Sequence, residues 1–151
     1  MLVRVAEESF EKGMHAMGDG RDEEALAFFE AAIELERRYG MGKPQARYLS
    51  QYGLFLGLSG RRRYEGVRFC REAVAMEGYN PDFQWNLGRA LMSANRRREA
   101  YVALRKGLRL QRDHRGIIAD LKRMGVRRRP PLPFLGRDNP VNVFLGRLRK
   151  A

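Results

Sequence analysis

Apolar residues recur at helical spacing through most of the chain. In the segment 25–33 they stand three or four positions apart, as Ala25, Phe28-Phe29 and Ala32-Ile33. Such spacing places them on one face of an α-helix. The composition agrees with this pattern, because Leu and Ala are abundant while Thr is absent and Ile is rare. We therefore expect a helical protein.

The apolar pattern occurs three times, over about 6–39, 46–80 and 81–114. Small residues hold equivalent places in the three copies, namely Ala25, Gly66 and Ala100, and then Ala32, Ala73 and Gly107. Both sets are spaced by 41 and 34 residues, so the unit is 34 residues long and seven further residues lie between the first two copies. Gly40, Gly42 and Pro44 fall in that interval and indicate a turn there.

The pattern of residues within each unit predicts two helices in close contact. Gly13, Gly53 and Gly88 occur in the first halves of the units. A glycine inside a helix costs about 1 kcal/mol relative to alanine. Three of them in register therefore indicate that two helix backbones approach each other closely.

These units resemble the tetratricopeptide repeat (TPR), a 34-residue helix-turn-helix. The third unit matches best, through Trp85-Asn86-Leu87-Gly88-Arg89-Ala90-Leu91, Arg98-Glu99-Ala100 and Gly107-Leu108. The resemblance implies an all-α, right-handed superhelical solenoid of three hairpins, of the small three-repeat bacterial type. The proline that usually closes a TPR unit is missing, and the tryptophan is displaced by one residue.

The residues after the third unit predict a capping helix and an arm. Asp113 is a candidate N-cap, residues 114–124 carry an apolar stripe, and Gly125 provides a stop, so we expect the solenoid domain to span 1–125. Residues 126–151 form a basic, proline-containing arm with a short terminal helix. Its candidate contact residues are Arg127, Arg128, Arg129, Leu132, Phe134 and Leu135. The arm could pack on its own solenoid, exchange with a second copy, or bind a partner.

The resemblance also implies a binding groove, because the first helices of TPR units line a concave surface that holds a peptide. Carried onto equivalent positions, the groove residues are Phe10, Met14, Met17, Trp85, Arg89 and Met92. In the second unit the groove-facing set is Ser50, Leu54 and Leu58, where the two leucines are more readily explained as core. Methionine and aromatic side chains form an adaptable apolar surface, and Arg89 could anchor a carboxylate.

The charge is unevenly distributed. The net charge is +12 and the pI is about 10.6, yet residues 1–45 carry −4 and the remainder carries +16. Two arginine triplets fall in the turns of successive units, and a solenoid stacks such turns into one basic edge: Arg61, Arg62, Arg63, Arg96, Arg97 and Arg98. This edge fits a solvated surface, a docking site for an acidic protein, or nucleic-acid binding. The last is disfavoured because no stacking aromatic residues accompany it.

No constellation of catalytic residues is apparent. His15 and His114 lie far apart, and Cys70 stands where Phe29 and Leu104 stand in the other units, which indicates a core thiol. We expect no enzyme activity, cofactor or metal site. A protein or peptide partner, acidic in part, is expected for an adaptor, co-chaperone or assembly scaffold. One cysteine and no long apolar segment favour a cytoplasmic protein without membrane insertion.

Overall fold

Seven α-helices make up the described part of the chain. A computed structural model describes residues 2–40, 44–60, 62–125 and 140. The helices are α1 (Leu2–Gly18), α2 (Asp22–Tyr39), α3 (Ala46–Ser59), α4 (Arg63–Met76), α5 (Pro81–Ser93), α6 (Arg97–Leu110) and α7 (Arg115–Met124). No strand occurs among these residues.

The first six helices form three hairpins, α1 with α2, α3 with α4, and α5 with α6. Neighbouring hairpins touch through α2 and α3, α3 and α5, and α4 and α5. The arrangement is the all-α repeat that the apolar pattern predicts. The chain divides into two units, Met1–Leu121 and Lys122–Ala151, with the division inside α7. The predicted boundary after Gly125 stays a prediction.

Glycines at equivalent positions let the two helices of each hairpin approach. A Cβ atom at Gly13 would lie 2.8 Å from the ring of Phe29, and one at Gly88 would lie 2.6 Å from Leu104. A Cβ atom at Gly53 would lie 2.8 Å from the sulfur of Cys70. The three glycines therefore face residues that hold equivalent positions in the second helices of the hairpins.

Aromatic rings fill the space between the first two hairpins. The Phe10 ring stacks on that of Tyr48 with centroids 4.6 Å apart, and the rings of Phe29 and Phe55 lie 5.9 Å apart. All four side chains are buried. Burial of such side chains contributes most of the stability of a helical repeat.

The second helix of each hairpin begins in the same way. Arg21, Arg62 and Arg96 occupy the N-cap positions, and none of their side chains caps the helix. Each guanidinium instead pairs with the glutamate three residues later, Glu24, Glu65 or Glu99, at 2.5, 2.6 and 2.7 Å. A glutamate in the first helical turn also interacts favourably with the helix dipole.

Helix α7 is capped by His114 rather than by the expected Asp113. Nδ1 of His114 accepts a hydrogen bond from the backbone N–H of Ile117 at 3.1 Å, and Nε2 lies 2.9 Å from Oδ1 of Asp82 on α5. Since Nδ1 accepts, we assign the proton to Nε2, which donates to Asp82. One side chain thus caps α7 and ties it to the third hairpin. The helix ends at Gly125, whose φ of +73° suits glycine.

Candidate functional site

A cavity of about 250 Å³ lies among the first helices of the three hairpins, α1, α3 and α5. Its lining residues come from all three hairpins: Phe10, Met14, Arg47, Gln51, Asp82, Phe83, Trp85 and Asn86. The repeat brings these residues together because equivalent helices stack side by side. We call this site the groove cavity.

Three of the expected groove residues line this cavity, Phe10, Met14 and Trp85. Met17, Arg89 and Met92 are partly buried and are not among its lining residues. Of the corresponding residues in the second hairpin, Ser50 and Leu54 are buried, whereas Leu58 is exposed. The assignment of the groove residues as a set remains a prediction.

Most polar groups of the groove cavity already have partners within the protein. Arg47 pairs with Glu7, Asp82 with His114, and the Asn86 amide donates to Oγ of Ser50 at 2.9 Å. Gln51 makes no hydrogen bond to other described residues. The cavity therefore combines apolar walls with one polar side chain that is available to a ligand.

Trp85 is held on three sides. Its indole N–H donates to the buried carboxylate of Asp120 at 2.6 Å. The guanidinium of Arg89 lies 5.2 Å from the centre of the indole, and the His114 ring meets it edge-on at 5.1 Å. Gly116 lies against the ring and leaves no room there for a Cβ atom. Helix α7 therefore fixes the orientation of Trp85.

Contacts among Glu7, Arg47 and Tyr48 support the wall of the groove cavity that contains Phe10. The Tyr48 hydroxyl donates to Oε2 of Glu7 at 2.6 Å, and Arg47 pairs with the same carboxylate. Burial raises the pKa of Tyr48 above its ordinary value, so the phenol stays neutral and remains a donor. The side chains that hold Phe10 in place are thus tied to one another.

The predicted basic edge is partly neutralised within the chain. Arg62 pairs with Glu65 and also with Glu30 at 3.1 Å, and Arg96 pairs with Glu99. Hydrogen bonding to Arg62 lowers the pKa of Glu65. Arg63, Arg97 and Arg98 are exposed, whereas Arg61 lies outside the described residues. The role of this edge stays a prediction.

The predicted arm also lies outside the described residues, except for Pro140. This includes Arg127, Arg128, Arg129, Leu132, Phe134 and Leu135. Whether the arm packs on its own solenoid, exchanges between copies or binds a partner remains an open prediction.

The expected groove set lacked five residues that line the groove cavity: Arg47, Gln51, Asp82, Phe83 and Asn86. The sequence contained a signal for two of them, because Arg47 and Asp82 precede Gly53 and Gly88 by six residues, as Glu7 precedes Gly13. Each of these charged groups pairs with a neighbouring element. The sequence alone did not show that Arg47 and Asp82 line the groove cavity, because their positions depend on contacts with distant parts of the chain.

Reactive chemistry is not evident in the described part of the chain. Cys70 is fully buried, its thiol lies 3.6 Å from the carbonyl oxygen of Ser50, and burial raises its pKa to about 12. Such a thiol is a poor nucleophile at neutral pH. Among these residues, no cluster of three or more His, Cys, Asp or Glu is arranged to hold a metal ion. No described helix has the length and apolar character needed to span a membrane.

Comparisons with known proteins agree with this geometry. Residues 81–114 match the family model of the tetratricopeptide repeat. The third hairpin is therefore similar to a tetratricopeptide repeat. The match covers the third hairpin, α5 and α6, together with the residue that caps α7. Tetratricopeptide repeats mediate protein–protein interaction and are generally non-catalytic.

A solved structure extends the similarity to most of the chain. The Arabidopsis OM64 TPR domain superimposes with a TM-score of 0.70 at 21% sequence identity, covering 83% of this chain and 98% of that domain. No curated protein sequence gave a match. The predicted all-α TPR solenoid is confirmed, while its assignment to a bacterial type stays a prediction.

Proposed function

We propose that this chain is a non-catalytic protein-interaction module whose groove cavity binds a segment of a partner protein. The observation that carries the proposal is that side chains from α1, α3 and α5 meet around one cavity of about 250 Å³. A site assembled from three consecutive repeats suits an extended ligand that runs across them.

The chemistry of the cavity favours a bulky apolar side chain in the ligand. Phe10, Met14 and Trp85 supply aromatic and thioether contacts that adapt to different shapes. Arg47, Asp82 and Asn86 are already paired, so a ligand gains little by offering them a charge. Gln51 can hydrogen-bond to a peptide backbone, because an amide both donates and accepts.

The proposal can be tested with peptides selected from a displayed random library on the immobilised full-length chain. The chain has a single tryptophan, Trp85, so a ligand in the groove cavity should change its fluorescence emission. Gln51→Arg adds a long charged side chain to the cavity without removing a hydrogen bond to described residues. We expect it to weaken binding at least about tenfold, a loss near 1.4 kcal/mol.

The matched control is Gln111→Arg, the same change at an exposed residue just after α6. It should leave the affinity unchanged. The proposal is wrong if selected peptides bind without altering Trp85 emission, or if the two variants bind them equally well.

The biological role extends this proposal. The groove fits an adaptor, a co-chaperone or an assembly scaffold in the cytoplasm. The basic edge of Arg61, Arg62, Arg63, Arg96, Arg97 and Arg98 would add affinity for an acidic partner, and the arm would allow self-association. The exposed positions of Arg63 and Arg98 support the docking role of the edge.

A further inference from the structure

A second cavity, of about 300 Å³, lies among α4, α5 and α6. It shares no lining residue with the groove cavity. Its lining residues are Arg71, Val74, Gln84, Leu87, Leu91, Arg98, Glu99, Val102, Ala103 and Lys106. We call it the α4–α6 cavity.

The cavity lies where the third hairpin has smaller residues in place of an aromatic pair of the second hairpin. In the second hairpin Phe69 packs on the ring of Tyr52, with centroids 4.9 Å apart. The equivalent residues of the third hairpin are smaller. Ala103 follows Phe69 by 34 residues, as Ala100 follows Gly66, and Leu87 follows Tyr52 by 35 residues, as Gly88 follows Gly53. The third hairpin thus leaves open a space that an aromatic pair occupies in the second.

The cavity has an apolar floor and a basic rim. Val74, Leu87 and Leu91 contribute apolar surface. Arg98 and Lys106 are exposed at the rim and have no ion pair with other described residues.

The acidic group at the rim, Glu99, is already neutralised. Arg71 pairs with it at 2.6 Å and Arg96 pairs with it at 2.7 Å. The rim therefore presents excess positive charge beside an empty apolar space.

We propose that the α4–α6 cavity binds a bulky apolar side chain carried by an acidic segment of a partner protein. The apolar floor takes the side chain, and Arg98 and Lys106 pair with the flanking carboxylates. A buried apolar anchor with charged groups around it is the usual arrangement of a binding hot spot. This proposal does not depend on ligand binding in the groove cavity.

A second copy of this chain fits the cavity poorly. The acidic part of the chain is its first hairpin, where the rings of Phe10 and Phe29 are buried in the core. The exposed tyrosine of that hairpin, Tyr39, directly follows Arg37 and Arg38. The other exposed large apolar residue described in that hairpin is Val5, whose short side chain would fill little of a cavity of about 300 Å³, so we take the partner to be a different protein.

A blocked peptide, acetyl-Glu-Asp-Phe-Asp-Glu-amide, serves as the probe, because blocking removes a free carboxyl terminus. It is titrated into the full-length chain labelled with ¹⁵N. We expect saturable shifts of the amide resonances of Leu87, Val102 and Ala103, with Trp85 emission unchanged. The peptide with Ala in place of Phe, and the peptide with Lys and Arg in place of the acidic residues, should each bind at least about tenfold more weakly.

Two variants test the cavity itself. Arg98→Glu combined with Lys106→Glu should weaken binding of the acidic probe at least about tenfold, whereas the control Arg105→Glu, on the same helix but outside the lining, should leave it unchanged. Ala103→Phe restores the aromatic residue of the second hairpin and should abolish binding while circular dichroism shows intact helices.

Equal affinity for the acidic and basic probes would overturn the proposal, as would undiminished binding by the doubly substituted variant. Concentration-dependent self-association that the double substitution removes would assign the cavity to a second copy, and would overturn it as well.

Discussion

The two helices of the second hairpin approach each other closely at Gly53 and Gly66. A Cβ atom at Gly53 would lie 2.7 Å from the carbonyl oxygen of Gly66, and one at Gly66 would lie 2.5 Å from that of Gly53. The other hairpins have Ala25 and Ala100 where this one has Gly66. Cys70, smaller than the equivalent Phe29 and Leu104, allows α3 and α4 to lie this close.

Gly53→Ala should lower the free energy of unfolding by about 2 kcal/mol, because the new methyl group meets backbone atoms that cannot rotate away. Gly18→Ala is the matched control, since a Cβ atom there meets nothing within 4 Å, and it should raise stability by about 0.5 kcal/mol. Urea denaturation followed by circular dichroism measures both. Equal effects of the two substitutions would contradict the close approach.

Among the helices, Arg62 at the start of α4 connects this helix to α2 of the first hairpin. It pairs with Glu65 in the first turn of its own helix, and with Glu30 on α2. Tyr52 on α3 donates to the same Glu30 carboxylate at 2.7 Å. Burial and this hydrogen bond raise the pKa of Tyr52. The network therefore stays intact at neutral pH and joins the first two hairpins.

Arg62→Gln should lower the free energy of unfolding at pH 7 by about 1 kcal/mol or less, because these pairs are partly exposed. The Arg62 hydrogen bond lowers the pKa of Glu65 below its ordinary value of 4.5. The stabilisation is therefore present above pH 4.5 and is lost as the pH falls through the lowered pKa of folded Glu65.

The measurement is urea denaturation of the native chain and the variant at pH 7 and pH 3. The difference between them should shrink at the lower pH, while the neighbouring Arg63→Gln should differ little from the native chain at either pH. A difference that stays the same at pH 3 would show that Arg62 does not act through these carboxylates.

For the molecule as a whole, the net charge and the fold favour different classes of partner. The net charge of +12 attracts any polyanion at low salt. The match of residues 81–114 to the tetratricopeptide repeat favours protein interaction instead. Exposed aromatic residues do occur near the arginine triplets, since Tyr64 is 75% exposed and Tyr101 is 50% exposed.

Mobility-shift titrations with duplex DNA and single-stranded RNA can separate the two possibilities. We expect weak, sequence-independent complexes at low salt that disappear near about 150 mM salt, because they rest on counterion release alone. Tight binding that survives physiological salt and prefers one sequence would favour a nucleic-acid role.

The helical repeat could be predicted because its determinants are local and periodic. The spacing of Ala25, Gly66 and Ala100 revealed the length of the unit, and Cys70 was placed in the core by its register with Phe29 and Leu104. The end of the solenoid was less predictable. His114 caps α7 because Asp82, 32 residues earlier, holds its ring in position.

Helical periodicity and composition were enough to predict the number of hairpins, the close approach of helices at their glycines, and the uneven charge along the chain. Which polar groups remain available to a ligand depends on contacts between helices and is seen only in the folded chain. Arg47, Asp82 and Asn86 have partners from other hairpins or from the start of α7, while Gln51 has no hydrogen-bond partner among the described residues. The tertiary structure also revealed the α4–α6 cavity, because an empty space depends on how residues from different helices fill a shared volume.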